Sequence, residues 1–504
     1  MGGRRIPPGR VAVTEDRSAA EDRRSGLVAY GTYLPYWRLE RSAIAAALGT
    51  PPGRGARAVA SYDEDTTTMG VEAARVALAA APAGVEVGQL LFASSNPAYL
   101  DKTNATAIHA ALGLDPSVGA YDMGGSVRSA IGANRAAIAA PVPTLVIRSD
   151  LRTGLAGGTD ERDGGDGADA YLFAPRDAAG ETAAGDAVIA ELLGAAASTA
   201  EFLDRWRLPG DTASRVWEER FGEHAYVPLA EAALTEALKR AGLTADAIDH
   251  LVVTGVHPRA VRAVTKAVGV RPEAVVDDLS DQIGNPGAAQ RGIVLADVFD
   301  RARPGQVVAV VSLADGADVG IVRTTDALAG YRERRTTTVA AQLARGRHDL
   351  TYPTFLTWRG QLHREPPRRP DPTAPAAPPS FRHEHWKFGF TASRCEQCGT
   401  RHLPPARVCS SCGAVDRVTH ERLADSRATV ATFTIDRLAY SLNPPVVAAV
   451  VDFDGGGRFR CELTDVDPAT VAIGGRVEMT FRKISTANGV HNYFWKARPV
   501  REDS

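Results

Sequence analysis

From residue 26 the chain alternates two kinds of apolar pattern. Short runs rich in β-branched and aromatic residues, such as GLVAYGTYL, QLLFASSNP and TLVIRSDL, alternate with Ala-rich stretches whose apolar positions fall three and four apart, such as GVEAARVALAAA and ATAIHAALGL. Strands buried on both faces read as continuous apolar runs, and the helices that cover them need one apolar stripe. The pattern therefore predicts an α/β fold built on a mostly parallel sheet. Residues 1–25 mix Arg, Asp, Glu, Pro and Gly without periodicity, so they cannot bury enough surface to offset the entropy of ordering and read as a disordered tail.

The pattern also repeats at long period. LLFASSNPAYLDKTNATAIHAALGL is matched by LVVTGVHPRAVRAVTKAVGV, AYDMGGSVRSAIGANRAAIAA by VVDDLSDQIGNPGAAQRGIVLADVF, and TLVIRSDLRTG with GGDGADAYLF by VVAVVSLADGADVGIVR. Three pairs in one order predict a duplicated domain over 26–330, with halves at 27–175 and 225–325 and a helical insertion at 176–224. Residues 331–385 read as a linker, which is rich in Pro and Arg over 361–380 and extended there. Beyond it, the runs RATVATFTI, PVVAAVVDF, RFRCELTDV and RVEMTFRKI alternate with Gly, Asn and Asp turns and predict a small antiparallel barrel, an OB-fold over 421–500.

Composition narrows the function. A chain of 504 residues exceeds one hydrophobic core and calls for at least two domains. An apolar fraction of 44%, a charged fraction of 23% and a net charge of -2 describe a globular protein with no field to draw nucleic acid. No run approaches the roughly 20 apolar residues needed to cross a bilayer, and the first residues lack the apolar core of a signal peptide, so a cytoplasmic protein is expected.

All five cysteines lie after residue 394. Cys395 and Cys398 form CEQCG, and Cys409 and Cys412 form CSSCG. Two CxxC pairs set four thiolates at the corners of a tetrahedron, which suits Zn²⁺, and four protein ligands leave no open position, so the zinc ribbon predicted over 386–420 is structural. Cys461 sits in an alternating strand pattern and reads as a small buried thiol.

Residues 386–500, from WKFGFTASRCEQCG to LTDVDPATVAIGGRVEMTFRK, resemble the acyl-CoA-associated zinc-ribbon and OB-fold family, which implies partnership with thiolase-like proteins. Residues 27–330 resemble the hydroxymethylglutaryl-CoA synthase and ketoacyl synthase III branch of the thiolase superfamily at GLVAYGTYLPYWRLER, YDEDTTTMGVEAA, GVHPRAV and IGNPGAAQ. The resemblance implies a thiolase fold, a homodimer and a Cys, His and Asn constellation in which the Cys takes the acyl group. His257 in GVHPR and Asn285 in IGNPG match the family's His and Asn.

The nucleophile position falls on Val127 in YDMGGSVRSA, and residues 1–394 contain no cysteine at all. A hydrocarbon cannot attack a thioester. Ser126 and Ser129 are near, but a serine needs a paired base, and in a Gly-rich turn it is more often structural. Where the family's synthases place an acid/base glutamate, near SSNPAYLDK, this chain has Asn96 and Pro97.

The chemistry left is that of a thioester enolate alone: aldol or retro-aldol cleavage of a β-hydroxyacyl-CoA, or decarboxylation of a malonyl-type thioester. His257 is the first candidate base for a retro-aldol step, with Tyr99 and Asp101 as alternatives. Thiolase-like aldolases that act with a zinc-ribbon/OB partner in steroid side-chain breakdown resemble this arrangement. Two other classes stand beside the enzyme. One is a non-catalytic acyl-CoA-binding scaffold for a separate thiolase, hydratase or synthase. The other is a nucleic-acid-binding OB barrel, which the few aromatics and balanced charge of RFRCELTDVDPATVAIGGRVEMTF disfavour.

Overall fold

In the computed structural model, residues 25–176, 187–368 and 372–501 are described; the predicted tail lies, apart from Ser25, outside them. Nine strands form one sheet: β1 (Gly26–Tyr33), β2 (Gln89–Ser94), β3 (Gly119–Gly124), β4 (Thr144–Leu151), β5 (Asp166–Ala174), β6 (Ala190–Thr199), β7 (His250–Gly255), β8 (Val307–Leu313) and β9 (Gly316–Thr324). Their spatial order is β7-β8-β9-β6-β1-β5-β4-β2-β3. Each half runs from its first strand at the centre outward through the same sequence, β1-β5-β4-β2 and β6-β9-β8-β7. The edge strand β3 has a reduced counterpart, a single parallel bridge from Leu251 to Val275. Pairing is parallel between β2 and its neighbours β3 and β4 and between β7 and β8, and antiparallel elsewhere.

The duplication therefore starts earlier than the repeat in the sequence suggests. Within the span 176–224, where a helical insertion is expected, the described residues 187–224 include β6, which pairs with β9 and β1 at the centre of the sheet. Its AELLGAAAST sequence has helix-forming composition, and sheet pairing overrides that preference. Residues 331–358, the first part of the expected linker, likewise do not serve only as a connection. Helices at Ala327–Arg334, Val339–Ala344 and Tyr352–Trp358 bury Tyr331, Val339, Tyr352 and Phe355 against the first domain.

The helices that matter for the site are α1 (Thr66–Ala79), α2 (Val127–Ala139), α3 (Glu219–Ala241), α4 (Pro258–Ala267) and α5 (Gln290–Arg301). Helix α1 begins with a reciprocal capping box between Asp65 and Thr68 and lies directly on β1. A Cβ at Gly31 would stand 2.4 Å from Ala73 O, so only glycine permits that approach.

The C-terminal part consists of a ribbon, β10 (Thr391–Cys395), β11 (Arg401–His402) and β12 (Val418–Arg422), then a closed barrel, β13 (Arg427–Asp436), β14 (Val446–Phe453), β15 (Arg458–Leu463), β16 (Arg476–Ala487) and β17 (Val490–Pro499). The barrel is locked to the first domain by charge. Asp63, Glu64 and Glu72, part of the DEDTTTMGVEAA stretch, are fully buried at the seam. Arg482 pairs with Glu64 and, at 2.5 Å, with Asp465; Lys496 pairs with Asp63 at 3.0 Å and Arg498 with Glu72 at 3.0 Å. Tyr493 OH donates to Asp65 at 2.9 Å and Phe481 N–H to Glu72 at 3.1 Å. Burial pushes the Asp63 carboxyl up, but Lys496 and Arg482 outweigh it and hold it down at about 2.

Candidate functional site

The four cysteines come together on two matched knuckles. Gly399 and Gly413 take positive φ after each CxxC, and their N–H groups donate to Cys395 O and Cys409 O, both at 2.9 Å. The four Sγ atoms lie within 4.8 Å of one another, with Cys395 to Cys412 at 3.6 Å and Cys398 to Cys409 at 3.5 Å. A tetrahedral ion with Zn–S bonds of about 2.3 Å needs S···S edges of about 3.8 Å, which the two closest pairs approach, so the donor set suits zinc.

His257 and Asn285 line one cavity of about 260 Å³, shared with Arg152, Asp160, Arg205 and Trp217. His257 is the N-cap of α4 at the C-terminal tip of β7, where Pro258 starts the helix with the right φ. Ala260 N–H donates to His257 Nδ1 at 3.2 Å, so the neutral ring carries its proton on Nε2. That Nε2 is buried and has no hydrogen-bond partner among the described residues. The first turn of α3 closes over the ring at Gly222, where a Cβ would lie 2.6 Å from Nε2.

Asn285 is fixed from both sides. Its N–H donates to Asp163 O at 2.9 Å and its carbonyl accepts from Gly165 N–H at 3.0 Å, which ties it to the loop after β4 in the first half. Its Nδ2 donates to Gly255 O at 2.8 Å and its Oδ1 accepts from Gly287 N–H at 2.9 Å. One Nδ2 hydrogen remains. Two fixed N–H donors in one cavity can stabilise negative charge developing on a thioester oxygen.

Val127 is the first residue of α2, after the positive-φ Gly125, and lines a smaller cavity with Thr254, Gly255, Gly287 and Ser312. Gly255 and Gly287 are the glycines bonded to the Asn285 side chain, so the Val127 cavity lies across a shared wall from His257 and Asn285. Ser126 is the α2 N-cap and makes no capping hydrogen bond. Ser129 donates its hydroxyl to Gly124 O at 2.7 Å.

The alternative bases are elsewhere. Tyr99 OH accepts from His491 N–H at 2.7 Å in the barrel hairpin, and Asp101 is exposed on the same loop, so neither lines the cavity. Asn96 donates from Nδ2 to Leu151 O at 3.0 Å, and beside it Ser94 and Ser95 bond to Asp150.

Residue-by-residue reading passed over Arg152, Arg205, Asp160 and Gly222. Arg152 follows β4 directly, and cations at the carboxyl ends of sheet strands are the available sequence signal. Gly222 carries no signal in the sequence, because its need arises from a ring that packs against it across the fold.

Three family profiles match the chain. One described as the 3-oxoacyl-[acyl-carrier-protein] synthase III C terminal covers residues 238–323, one described as the ChsH2 rubredoxin-like zinc ribbon domain covers 389–416, and one described as the ChsH2 C-terminal OB-fold domain covers 421–482. A hydroxymethylglutaryl-CoA synthase of Aeropyrum pernix is 30% identical over 319 residues, 60% of this chain and 86% of that protein. One from Methanopyrus kandleri is 29% identical over 303 residues, 58% of this chain and 85% of that protein. Among solved structures, a HMG-CoA synthase complexed with CoA aligns with a TM-score of 0.55 at 20% identity, over 66% of this chain and 89% of that one. The 3-oxoacyl-(acyl carrier protein) synthase III of Pseudomonas aeruginosa PAO1 aligns with a TM-score of 0.51 at 20% identity, over 60% and 98%. These two establish the thiolase-like fold. On the extent and identity of the Aeropyrum match, this chain belongs to the hydroxymethylglutaryl-CoA synthase family of the thiolase superfamily, with ChsH2-type zinc ribbon and OB-fold domains joined behind it.

Proposed function

We propose that this chain is an acyl-CoA enzyme that makes or breaks a carbon–carbon bond through a thioester enolate, without a covalent acyl-enzyme. The observation that carries the reading is the pairing of His257 Nε2–H and the free Asn285 Nδ2–H in one cavity, with valine at the head of α2 and no cysteine before Cys395. In this reading the two donors hold the enolate oxygen of a bound CoA thioester. Decarboxylation of a malonyl-type thioester asks least of the site, because carbon dioxide leaves without a base. Aldol or retro-aldol chemistry needs a base for the β-hydroxyl proton in addition, and neutral His257, a donor at Nε2, does not supply it.

The ribbon cysteines hold one structural zinc ion, and the chain works in the cytoplasm as a homodimer. The unpaired edge of β3, with Tyr121 and Asp122 exposed, is open to a second copy. The valine at the nucleophile position also favours a second reading, an acyl-CoA-binding scaffold that serves a separate thiolase, hydratase or synthase.

Incubation of the zinc-loaded protein with acyl-, β-hydroxyacyl- and malonyl-CoA thioesters, read by mass spectrometry, separates the two. Cleavage or decarboxylation that disappears in His257→Ala establishes the enzyme. Tight CoA binding without turnover by either protein establishes the scaffold.

A further inference from the structure

The smaller cavity at Val127 lies where the two halves of the first domain meet. It holds about 20 Å³, room for one water molecule or one monatomic ion and nothing larger. Val127 of α2 and Arg148 of β4 line it from the first half, and Thr254 of β7, Arg291 of α5 and Ser312 of β8 line it from the second. Thr254 and Ser312 are neighbours in register on adjacent strands, and each is 5% exposed. Two polar atoms of this lining are buried with no hydrogen-bond partner among the described residues, the hydroxyl of Ser312 and Nε of Arg291. Native proteins seldom leave such groups unmet, and the buried cavities that stay empty are apolar ones. The N-terminus of α2, whose first residue is Val127 and whose Ser126 supplies no cap, adds the positive end of a 13-residue helix.

Charge decides between water and an ion. Arg291 is half-buried, and burial and then Arg148 push its guanidinium down to about 10. The carboxylates around the cavity are engaged with other groups. Asp318 bonds to Arg128 at 3.0 Å and Arg135 at 2.8 Å, Asp169 takes Nε of Arg148 at 2.7 Å, and Asp150, beyond Gly287, accepts from Ser94, Ser95 and Ala288. Arg148 also donates from Nη1 to Asn134 Oδ1 at 2.8 Å. Water could accept from Ser312 and Arg291, but it would leave the Arg291 charge uncompensated, whereas an anion answers the charge, both orphaned donors and the helix end together. We infer that this cavity is a binding site for a monatomic anion, chloride, held by the Ser312 hydroxyl, Arg291 Nε–H and the head of α2. The ion ties the two halves together behind the wall of Gly255 and Gly287 that carries Asn285. It lies outside the His257 cavity, so the site does not depend on the acyl-CoA reading.

Thermal melts of the full zinc-loaded chain in sodium chloride against sodium gluconate, at constant ionic strength, test it, alongside bromide-soaked crystals read by anomalous scattering. Gluconate is too large for the cavity. We expect the midpoint to rise with chloride and not with gluconate, as a ligand of the folded state requires, and a bromide peak within hydrogen-bond reach of Ser312 Oγ and Arg291 Nε. Ser312→Ala should raise the chloride concentration needed for the same shift about tenfold, the value of one hydrogen bond to a charged group, and Arg291→Gln should abolish the response. Equal midpoints in the two salts overturn the site, as does an anomalous map whose peaks lie on the surface alone, an adventitious ion only. A chloride response that survives unchanged in both variants also overturns it, by placing the ion elsewhere. Should Arg291→Gln fail to fold, Ser312→Ala carries the test, since it removes a single oxygen atom that has no partner among the described residues.

Discussion

The seam between the domains holds fully buried charge, the cavity of the first domain is lined by half-buried charge, and the two treat it in opposite ways. At the seam Arg482 answers Glu64 and Asp465, Lys496 answers Asp63, and Arg498 answers Glu72. In the cavity the guanidinium of Arg152 and the buried Nε2 of His257 have no hydrogen-bond partner among the described residues. Burying a charge is costly unless it is paired, so the matched set serves the fold, whereas the half-buried Arg152 guanidinium and the His257 N–H are available to a ligand. The acidic stretch at residues 63–65, conspicuous in the sequence, thus belongs to domain docking and not to the cavity.

The contrast can be broken most severely at Arg482. Arg482→Met leaves Glu64 and Asp465 buried without their cation and should cost about 3–5 kcal/mol in urea unfolding. If the variant is as stable as the parent, the seam is not held by charge. On the cavity side, His257→Ala should lower kcat by roughly 10²- to 10³-fold, about 2.7–4 kcal/mol of transition-state stabilisation, once a turned-over thioester is identified. Unchanged kcat would remove His257 from the chemistry.

Acid sharpens the comparison next. Asp63 releases its proton more readily folded than unfolded, so its contribution is complete above about pH 4 and is lost as pH falls through about 2. From an unfolded value near 3.9 this is roughly 2.5 kcal/mol, and Asp63→Asn should flatten the stability profile in that window. The smallest effect belongs to a matched pair outside the seam. Arg458 and Asp452 are 2.7 Å apart but 67% and 46% exposed on the barrel, and Arg458→Ala should leave the unfolding midpoint unchanged within error.

Much of the fold could be read from local pattern. The buried runs GLVAYGTYL and VVAVVSL are strands because no other element suits short β-branched runs, and the CxxC spacing carries the ribbon through the stereochemistry of four thiolates around one ion. The misread segments are those where tertiary partners outweigh composition. The Ala-rich run at 190–199 is a strand because β9 and β1 offer it two open edges, and the helices after residue 327 exist because the first domain presents surface for Tyr331 and Phe355.

The site divides along the same line. The sequence by itself determined which residue types are present: a histidine and an asparagine at equivalent places in the second repeat, four paired thiols, and no thiol ahead of them, because chemistry of that kind resides in side-chain identity and spacing. The tertiary structure alone decided which of them meet. It put Tyr99 at the barrel seam, Val127 behind the wall of Gly255 and Gly287, and Arg152 beside His257. Those outcomes depend on contacts between segments more than a hundred residues apart, where no local periodicity reports which charge has been matched and which has been left free.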